Sequence, residues 1–281
     1  MKEKIKVAFQ GERGAYSHLV CLEIFPNIEA IACSTFEETF QLAKDHSEYK
    51  IIIPIENSLA GRVADIHYLI PKYKLQIHSE HFQKVAHCLL GIRGSKLQEI
   101  KTVRSHSQAI GQCQKIISSH NLKTIISADT AGSAKFIYEQ NDKSESAIAS
   151  ELAAKIYNLE IIKRNIEDEA GNVTRFLVMG TETKHPELKG KKYITSCIFK
   201  LKSTPAALYK ALGGFATNGV NLCKLESFAV KNTFEQVNFY IDIEGHIEDQ
   251  STQKALEELG FHTQKLDILG VYEAHKFREN N

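Results

Sequence analysis

At 281 residues the chain is too long for one small core and points to about two domains of ordinary size. Its 43% hydrophobic and 25% charged residues are those of a soluble globular protein. Lys plus Arg is 35 and Asp plus Glu is 34, so a formal net charge of +1 offers no electrostatic basis for binding nucleic acid.

Six cysteines (Cys21, Cys33, Cys88, Cys113, Cys197 and Cys223) are scattered among apolar neighbours without a CxxC pair, so neither a zinc site nor a disulfide framework is expected. Twelve histidines lack HExxH or any other metal spacing, and no metal is expected. No apolar run is long enough to cross a bilayer. MKEKIKVAFQ has no apolar h-region and no small-residue cleavage site, so a cytoplasmic protein without a membrane partner is the expectation.

Up to about Gly180 one unit recurs: an apolar strand, a short polar loop, then a helical pattern. Ile5 to Gln10 leads through GERGAYS (Gly11 to Ser17) into the helix His18 to Phe25. Tyr49 to Ile55 leads through ENSLAGR (Glu56 to Arg62) into VADIHYLI. Ile100 to Arg104 leads through SHSQ (Ser105 to Gln108) into AIGQCQKII; Lys123 to Ser127 leads through ADTAGS (Ala128 to Ser133) into AKFIYEQ. Ser146 to Ser150 precedes ELAAKIYNL. Strands alternating with helices argue for doubly wound parallel sheets in an α/β fold. Leu75 to Ile92 lacks the unit and reads as strands crossing between two lobes, with a return near Asn165 to Gly180.

Thr181 to Lys192 is polar, contains Pro186 and Gly190, and reads as a solvated linker whose Lys189, Lys191 and Lys192 need no special function. Beyond it the order is YITSCIFKL, the helix PAALYKALGGFATNG, VNLCKLESFAV, FEQVNFYIDIEG, the helix STQKALEELG and TQKLDILGVYE. This is the βαββαβ ferredoxin-like split motif, with Pro205 near N1 of its first helix and Asn218-Gly219 at that helix's left-handed cap.

In open parallel sheets ligands lie beyond the carboxyl ends of strands, where GERGAYS, ENSLAGR, SHSQ and ADTAGS fall. Each loop is expected to offer backbone N–H groups at a helix N-terminus, and together they describe an anion site. Any one of them alone reads as an ordinary N-cap. GERGAYS is GxxGxYS, not GxGxxG, which disfavours a nucleotide cofactor. His106 reads as a cap more than a base, and Glu56 as a first-turn acid favoured by the dipole. Thr174 and Arg175 precede the apolar run Phe176 to Met179, and in isolation such a pair is a strand residue and a surface charge.

GERGAYS, PIENSLAG (Pro54 to Gly61), SHSQ, DTAGSA (Asp129 to Ala134), NVTRF (Asn172 to Phe176), PAALYKAL (Pro205 to Leu212) and KLES (Lys224 to Ser227) together resemble monofunctional prephenate dehydratases with a C-terminal ACT regulatory domain. The resemblance spans nearly the whole chain. It implies a two-lobed, periplasmic-binding-protein-like (type II) catalytic part over 1–182, with lobes of about 1–76 plus 160–182 and 77–159, and a ferredoxin-like ACT domain over 192–275. It implies a carbon–oxygen lyase that converts prephenate to phenylpyruvate with loss of water and carbon dioxide, in L-phenylalanine biosynthesis and without a cofactor.

By the same resemblance Thr174 is the donor to the leaving hydroxyl, in a set with Arg175 and with Phe176 packed beneath. Tyr16, Ser17, Asn57, Ser58, Ser105, Gln108, Thr130 and Ser133 are the expected substrate-binding residues. Ala207, Leu208, Asn218, Leu222, Glu226 and Ser227 are the expected L-phenylalanine site, at an interface in a homodimer or homotetramer. Three departures stand out: SHSQ where the family has SHPQ, AALY (Ala206 to Tyr209) for a GALV-type motif, and ESFA (Glu226 to Ala229) for ESRP. Ala for Gly narrows a backbone approach, and Phe for Arg removes a charge, both at the regulatory end. An arogenate dehydratase and a non-catalytic ligand-binding sensor remain open alternatives.

Overall fold

The computed structural model describes residues 4–229 and 237–279. The predicted strand positions Phe234 to Gln236 and Val230, and the first three residues of the chain, lie outside that range.

The chain opens β1 (Ile5–Gln10), α1 (Tyr16–Ile24), β2 (Ile28–Cys33), α2 (Phe36–Asp45) and β3 (Lys50–Asn57). Val7, Ala8 and Phe9 of β1, and Ile51 to Ile53 and Ile55 of β3, are fully buried, as strands covered on both faces require. β3 runs on through Glu56 and Asn57 and turns back into β4 (Gly61–Arg62), with Glu56 opposite Arg62 and Asn57 opposite Gly61. ENSLAGR is therefore a β-hairpin and not the head of a helix; α3 (Ala64–Tyr73) begins after it. The cause is local: the Asn57 side-chain oxygen accepts the N–H groups of Leu59 (3.0 Å) and Ala60 (2.9 Å), which closes the turn.

β5 (Gln76–Lys84) and β6 (Cys88–Gly91) are the predicted crossing strands. They are followed by β7 (Thr102–Ser105), α4 (Ser107–Gly111), α5 (Gln114–Ser119), β8 (Lys123–Ile126), α6 (Thr130–Gln140), β9 (Glu145–Ala149), α7 (Glu151–Ile156), β10 (Glu160–Lys163) and β11 (Val173–Gly180). The first sheet has the order β2-β1-β3-β11-β5, with β4 on β3; the second is β10-β6-β9-β7-β8. β5 thus stays with the first sheet and β10 with the second, so both lobe limits fall later in the chain than 77 and 160. Nor are the sheets purely parallel: β6 runs antiparallel to β9 and β10, because the crossing strand enters without a crossover helix. Alternation along the second sheet sends Leu89, Val103 and Ile148 into one core with α4 and α5, and Cys88, Leu90, Ala147 and Ala149 into another with α6 and α7.

The C-terminal elements are β12 (Tyr193–Leu201), α8 (Ala207–Thr217), β13 (Leu222–Ala229), β14 (Val237–Glu244), α9 (Gln250–His262) and β15 (Thr263–Glu273). Their antiparallel sheet, ordered β13-β14-β12-β15, is the split βαββαβ topology. Pro205 lies one residue before the N-cap Ala206, itself at φ 57°, so it is outside the helix and not at N1. Gly219 takes the left-handed position (φ 67°) while Asn218 does not (φ −99°).

The chain divides into two compact units, Met1–Leu42 with Glu48–Val63 and Phe82–Phe176, and Ala43–Ser47 with Ala64–His81 and Leu177–Asn281. This differs from a cut near residue 182, since α3 and most of β5 fall in the same compact unit as the C-terminal elements, although β5 is hydrogen-bonded in the first sheet. Within that unit His67 of α3 packs on Phe228 and Tyr240, and Arg278 forms a bidentate ion pair with Glu80 of β5.

Candidate active site

The hairpin after β3 and the start of β11 meet in the first unit. Ser58 N–H donates to the Val173 carbonyl (2.8 Å), and Val173 N–H donates to Ser58 Oγ (2.9 Å). This clamp brings Asn57 to Thr174, whose Oγ1 accepts from Asn57 Nδ2 at 2.9 Å. Because Asn57 Oδ1 already accepts two backbone N–H groups, its amide has one orientation, with both Nδ2 protons directed at Thr174 Oγ1 and Asn172 Oδ1 (2.6 Å). Thr174 receives a hydrogen bond and so keeps its own O–H for another acceptor.

Strand alternation separates the predicted Thr-Arg set. Thr174 pairs with Asn57, whereas the Arg175 guanidinium, 1% exposed, donates to Glu56 at 2.9 Å and lies 6.0 Å from the Phe82 ring centre. Arg175 is a buried, paired cation and not a partner of the Thr174 hydroxyl. Phe176 is buried in the same strand.

The chain of hydrogen bonds continues. Asn172 Nδ2 donates to Gln112 Oε1 (2.9 Å), and His87 Nε2 lies 3.1 Å from the same oxygen, which assigns its proton to Nε2. His87 Nδ1 stands 3.3 Å from the Tyr16 hydroxyl, which itself donates to the Ala86 carbonyl at 2.6 Å. Burial lowers the His87 pKa, opposed by its bond to Gln112 and by Glu167, and burial raises Tyr16 well above the usual phenol range. Both are neutral near pH 7. Asn172, Gln112 and His87 are not among the predicted site residues; Asn172 lies in the motif NVTRF and Gln112 in the predicted helix AIGQCQKII.

The other predicted residues divide. Ser17 is buried in the first turn of α1, whose N-cap Ala15 offers no side-chain cap. Gly14 N–H donates to His18 Nδ1 (3.1 Å), and Ser150 Oγ donates to the Gly14 carbonyl (2.6 Å). A Cβ at Gly14 would stand 2.8 Å from the Ala153 backbone, so this approach of the GERGAYS loop to α7 needs glycine. Gln108 is exposed at the head of α4, where His106 Nδ1 accepts its N–H, the capping role expected of that histidine. Ser105 departs from expectation: fully buried, it donates to the Ile148 carbonyl (2.7 Å) and ties β7 to β9. Ser133, also buried, donates back to the Asp129 carbonyl (2.8 Å), while Asp129 caps Gly132 N–H; Thr130 is half-buried at the first position of α6.

The predicted regulatory residues fall on both faces of the C-terminal sheet, with Glu226 on the face opposite Leu208 and Leu222. Leu208 and Leu222 pack on the core between sheet and helices. Asn218 Nδ2 donates to Gly214 O and Glu258 Oε1, both at 2.8 Å. Glu226 lies opposite Tyr240 in register, on the sheet face away from that core, with Lys224 at 3.5 Å. Ala207 opens α8, and Ser227 is exposed on β13. Among the described residues no three His, Cys, Asp or Glu side chains gather as a metal cluster.

A family model described as prephenate dehydratase matches residues 7–184. A Komagataeibacter europaeus protein named bifunctional N-acyl-homoserine lactone acylase/prephenate dehydratase is 42% identical over 97% of this chain and 97% of its own. An Arabidopsis thaliana arogenate dehydratase/prephenate dehydratase is 36% identical, covering 96% of this chain and 72% of its own. The solved structure of prephenate dehydratase from Arthrobacter aurescens in complex with L-Phe superposes with a TM-score of 0.87 at 27% identity, covering 96% of this chain and 90% of that one.

Proposed function

The chain belongs to the prephenate dehydratase family, and from that premise we propose that it converts prephenate to phenylpyruvate, with Thr174 as the catalytic donor. The observation that carries the reading is the locked Asn57 amide, which donates into Thr174 Oγ1 and leaves the threonine proton for the substrate. In the reaction the ring carboxylate leaves as carbon dioxide, its bonding electrons enter the ring, and the opposite C–O bond breaks as the ring becomes aromatic. Hydroxide is a poor leaving group. A hydroxyl whose oxygen already accepts a hydrogen bond is a stronger donor to it, and the departing oxygen takes up a proton to leave as water.

Backbone N–H groups at the uncapped head of α1, near Tyr16 and Ser17, with Gln108 and Thr130 from the second sheet's loops, are the groups we assign to the substrate's carboxylates. Arg175 supports the site from behind through Glu56. L-phenylalanine regulation through the βαββαβ domain is part of the same proposal, supported by the L-Phe complex of the Arthrobacter aurescens protein; a homodimer or homotetramer is proposed with it. The separation of Glu226 from Leu208 and Leu222 favours a ligand site that two copies complete.

Two further substrates belong in the test. Arogenate differs from prephenate by an amino group in place of the keto group, and the Arabidopsis thaliana relative carries both names. An N-acyl-homoserine lactone enters because the Komagataeibacter europaeus relative is named for that acylase as well. Purified protein is to be given each substrate, with and without L-phenylalanine, with ultraviolet detection of phenylpyruvate and chromatography of phenylalanine and free acyl acid. Phenylpyruvate from prephenate is the expected result. Product from arogenate alone moves the assignment to the aminated substrate, and turnover of neither overturns the dehydratase reading.

A further inference from the structure

Gln112 stands at the break between α4 and α5, in the layer that covers the second sheet, yet its side chain reaches both segments that join the two sheets. Those segments hydrogen-bond to one another: Val85 N–H donates to the Asn172 carbonyl (2.8 Å) and Ile166 N–H to the His87 carbonyl (3.1 Å). The Gln112 carbonyl accepts Asp168 N–H (2.7 Å), and Asp168's carboxylate caps α5 at Gln114 and Lys115, 2.8 and 2.9 Å away. The backbone at Gln112 is therefore held from both sides, which sets where its amide can reach.

The Gln112 amide oxygen has two lone pairs and two donors, Asn172 Nδ2 and His87 Nε2. Asn172 is buried, and its amide can face Asn57 with oxygen only while its nitrogen has an acceptor on the other side. That acceptor is Gln112. Take it away and a flipped Asn172 sets an NH₂ group against the NH₂ group of Asn57, which shifts the donor on Thr174.

We propose that Gln112 is a positioning residue for the dehydration step, acting through Asn172 and Asn57 on the Thr174 hydroxyl and tying that hydroxyl to the second sheet. The proposal rests on the dehydratase reading above. It does not make Gln112 a substrate ligand.

The test compares Gln112→Met, which keeps length but not the acceptor, with Gln112→Glu, which restores acceptor oxygens. Gln112→Met is expected to lower kcat about tenfold to a hundredfold with KM changed less than about threefold, and Gln112→Glu to regain most of that loss. In a Thr174→Ala background Gln112→Met is expected to change kcat less than about twofold, because the group it positions is gone. Wild-type kcat in Gln112→Met, or an undiminished further loss in the Thr174→Ala background, overturns the proposal. Should Gln112→Met not fold, Gln112→Ala, which admits a water, is read by the same criteria. Inactive wild-type protein would refute the dehydratase reading instead; the Asn57 side-chain amide protons then decide by NMR, since unchanged shifts and exchange in Gln112→Met contradict the positioning chain.

Discussion

Thr174 and Arg175 are neighbours in sequence with opposite surroundings, and the difference sets what each is expected to do. Thr174 accepts one hydrogen bond from an amide and holds little of the fold. Thr174→Ala is expected to cut kcat by at least about a hundredfold with an unfolding midpoint near wild type, whereas Thr174→Ser retains part of the rate. Undiminished turnover in the alanine variant removes Thr174 from the mechanism. Arg175 is a buried cation whose partner Glu56 is 32% exposed. Glu56→Ala leaves that guanidinium without this counter-charge and is expected to cost roughly 1–3 kcal/mol in urea denaturation, less than the loss from a fully buried pair because water reaches the glutamate. Glu56→Gln, which keeps an acceptor oxygen, is expected to lie between the two.

Among the elements, β15 shows how closely packed backbones restrict sequence. Gly270 sits on β15 where an added Cβ would fall inside contact distance of the Ile77 carbonyl of β5, a backbone atom that cannot swing away. Gly270→Ala is expected to destabilise by about 1–3 kcal/mol through overpacking. Gly260→Ala is its contrast: in α9, with nothing within 4 Å of the new methyl, it gains helix propensity and is expected to stabilise by roughly 0.5–1 kcal/mol. Equal denaturant midpoints for the two variants would contradict the packing argument. The pattern AIGQCQKII predicts one helix, and the break between α4 and α5 at Gln112 and Cys113 has a tertiary cause: Asp168, more than fifty residues on, caps the second piece. Similarly, ENSLAGR carries the residue types of a helix cap, but Asn57 spends its oxygen on a turn and continues the strand as a hairpin.

For the whole molecule, two buried histidines and one half-buried one link stability to pH. Burial lowers the pKa of His18, with Arg13 adding to it, and of His87; burial followed by His81 does the same for His275. A folded state that resists protonation binds fewer protons than the unfolded chain below about pH 6.5, so stability falls as pH drops through that value and levels off below the folded pKa. Each such histidine contributes at most about 1.4 kcal/mol per pH unit inside that window. Thermal unfolding followed from pH 7.5 to 5 is expected to show a falling midpoint, and His18→Gln a shallower fall; a level curve over this range contradicts it. At this scale the sequence motifs and the matched family agree on a dehydratase that spans the two-sheet region.

The amino-acid sequence alone was enough for the strand–loop–helix units other than the one at ENSLAGR, the crossing at Leu75 to Ile92 and the βαββαβ order. Those features rest on local periodicity, turn chemistry and short motifs, which neighbouring residues specify together. Tertiary structure alone decided that Arg175 turns from Thr174 to Glu56, that Ser105 and Ser133 spend their hydroxyls on backbone carbonyls, and that α3 joins the C-terminal sheet. It also decided the polar chain: Asn57 meets Thr174 across 117 positions, and Gln112 meets Asn172 across 60. A hydrogen bond between residues so far apart leaves no periodic trace, because each partner alone is an ordinary polar side chain until the fold removes water from around both.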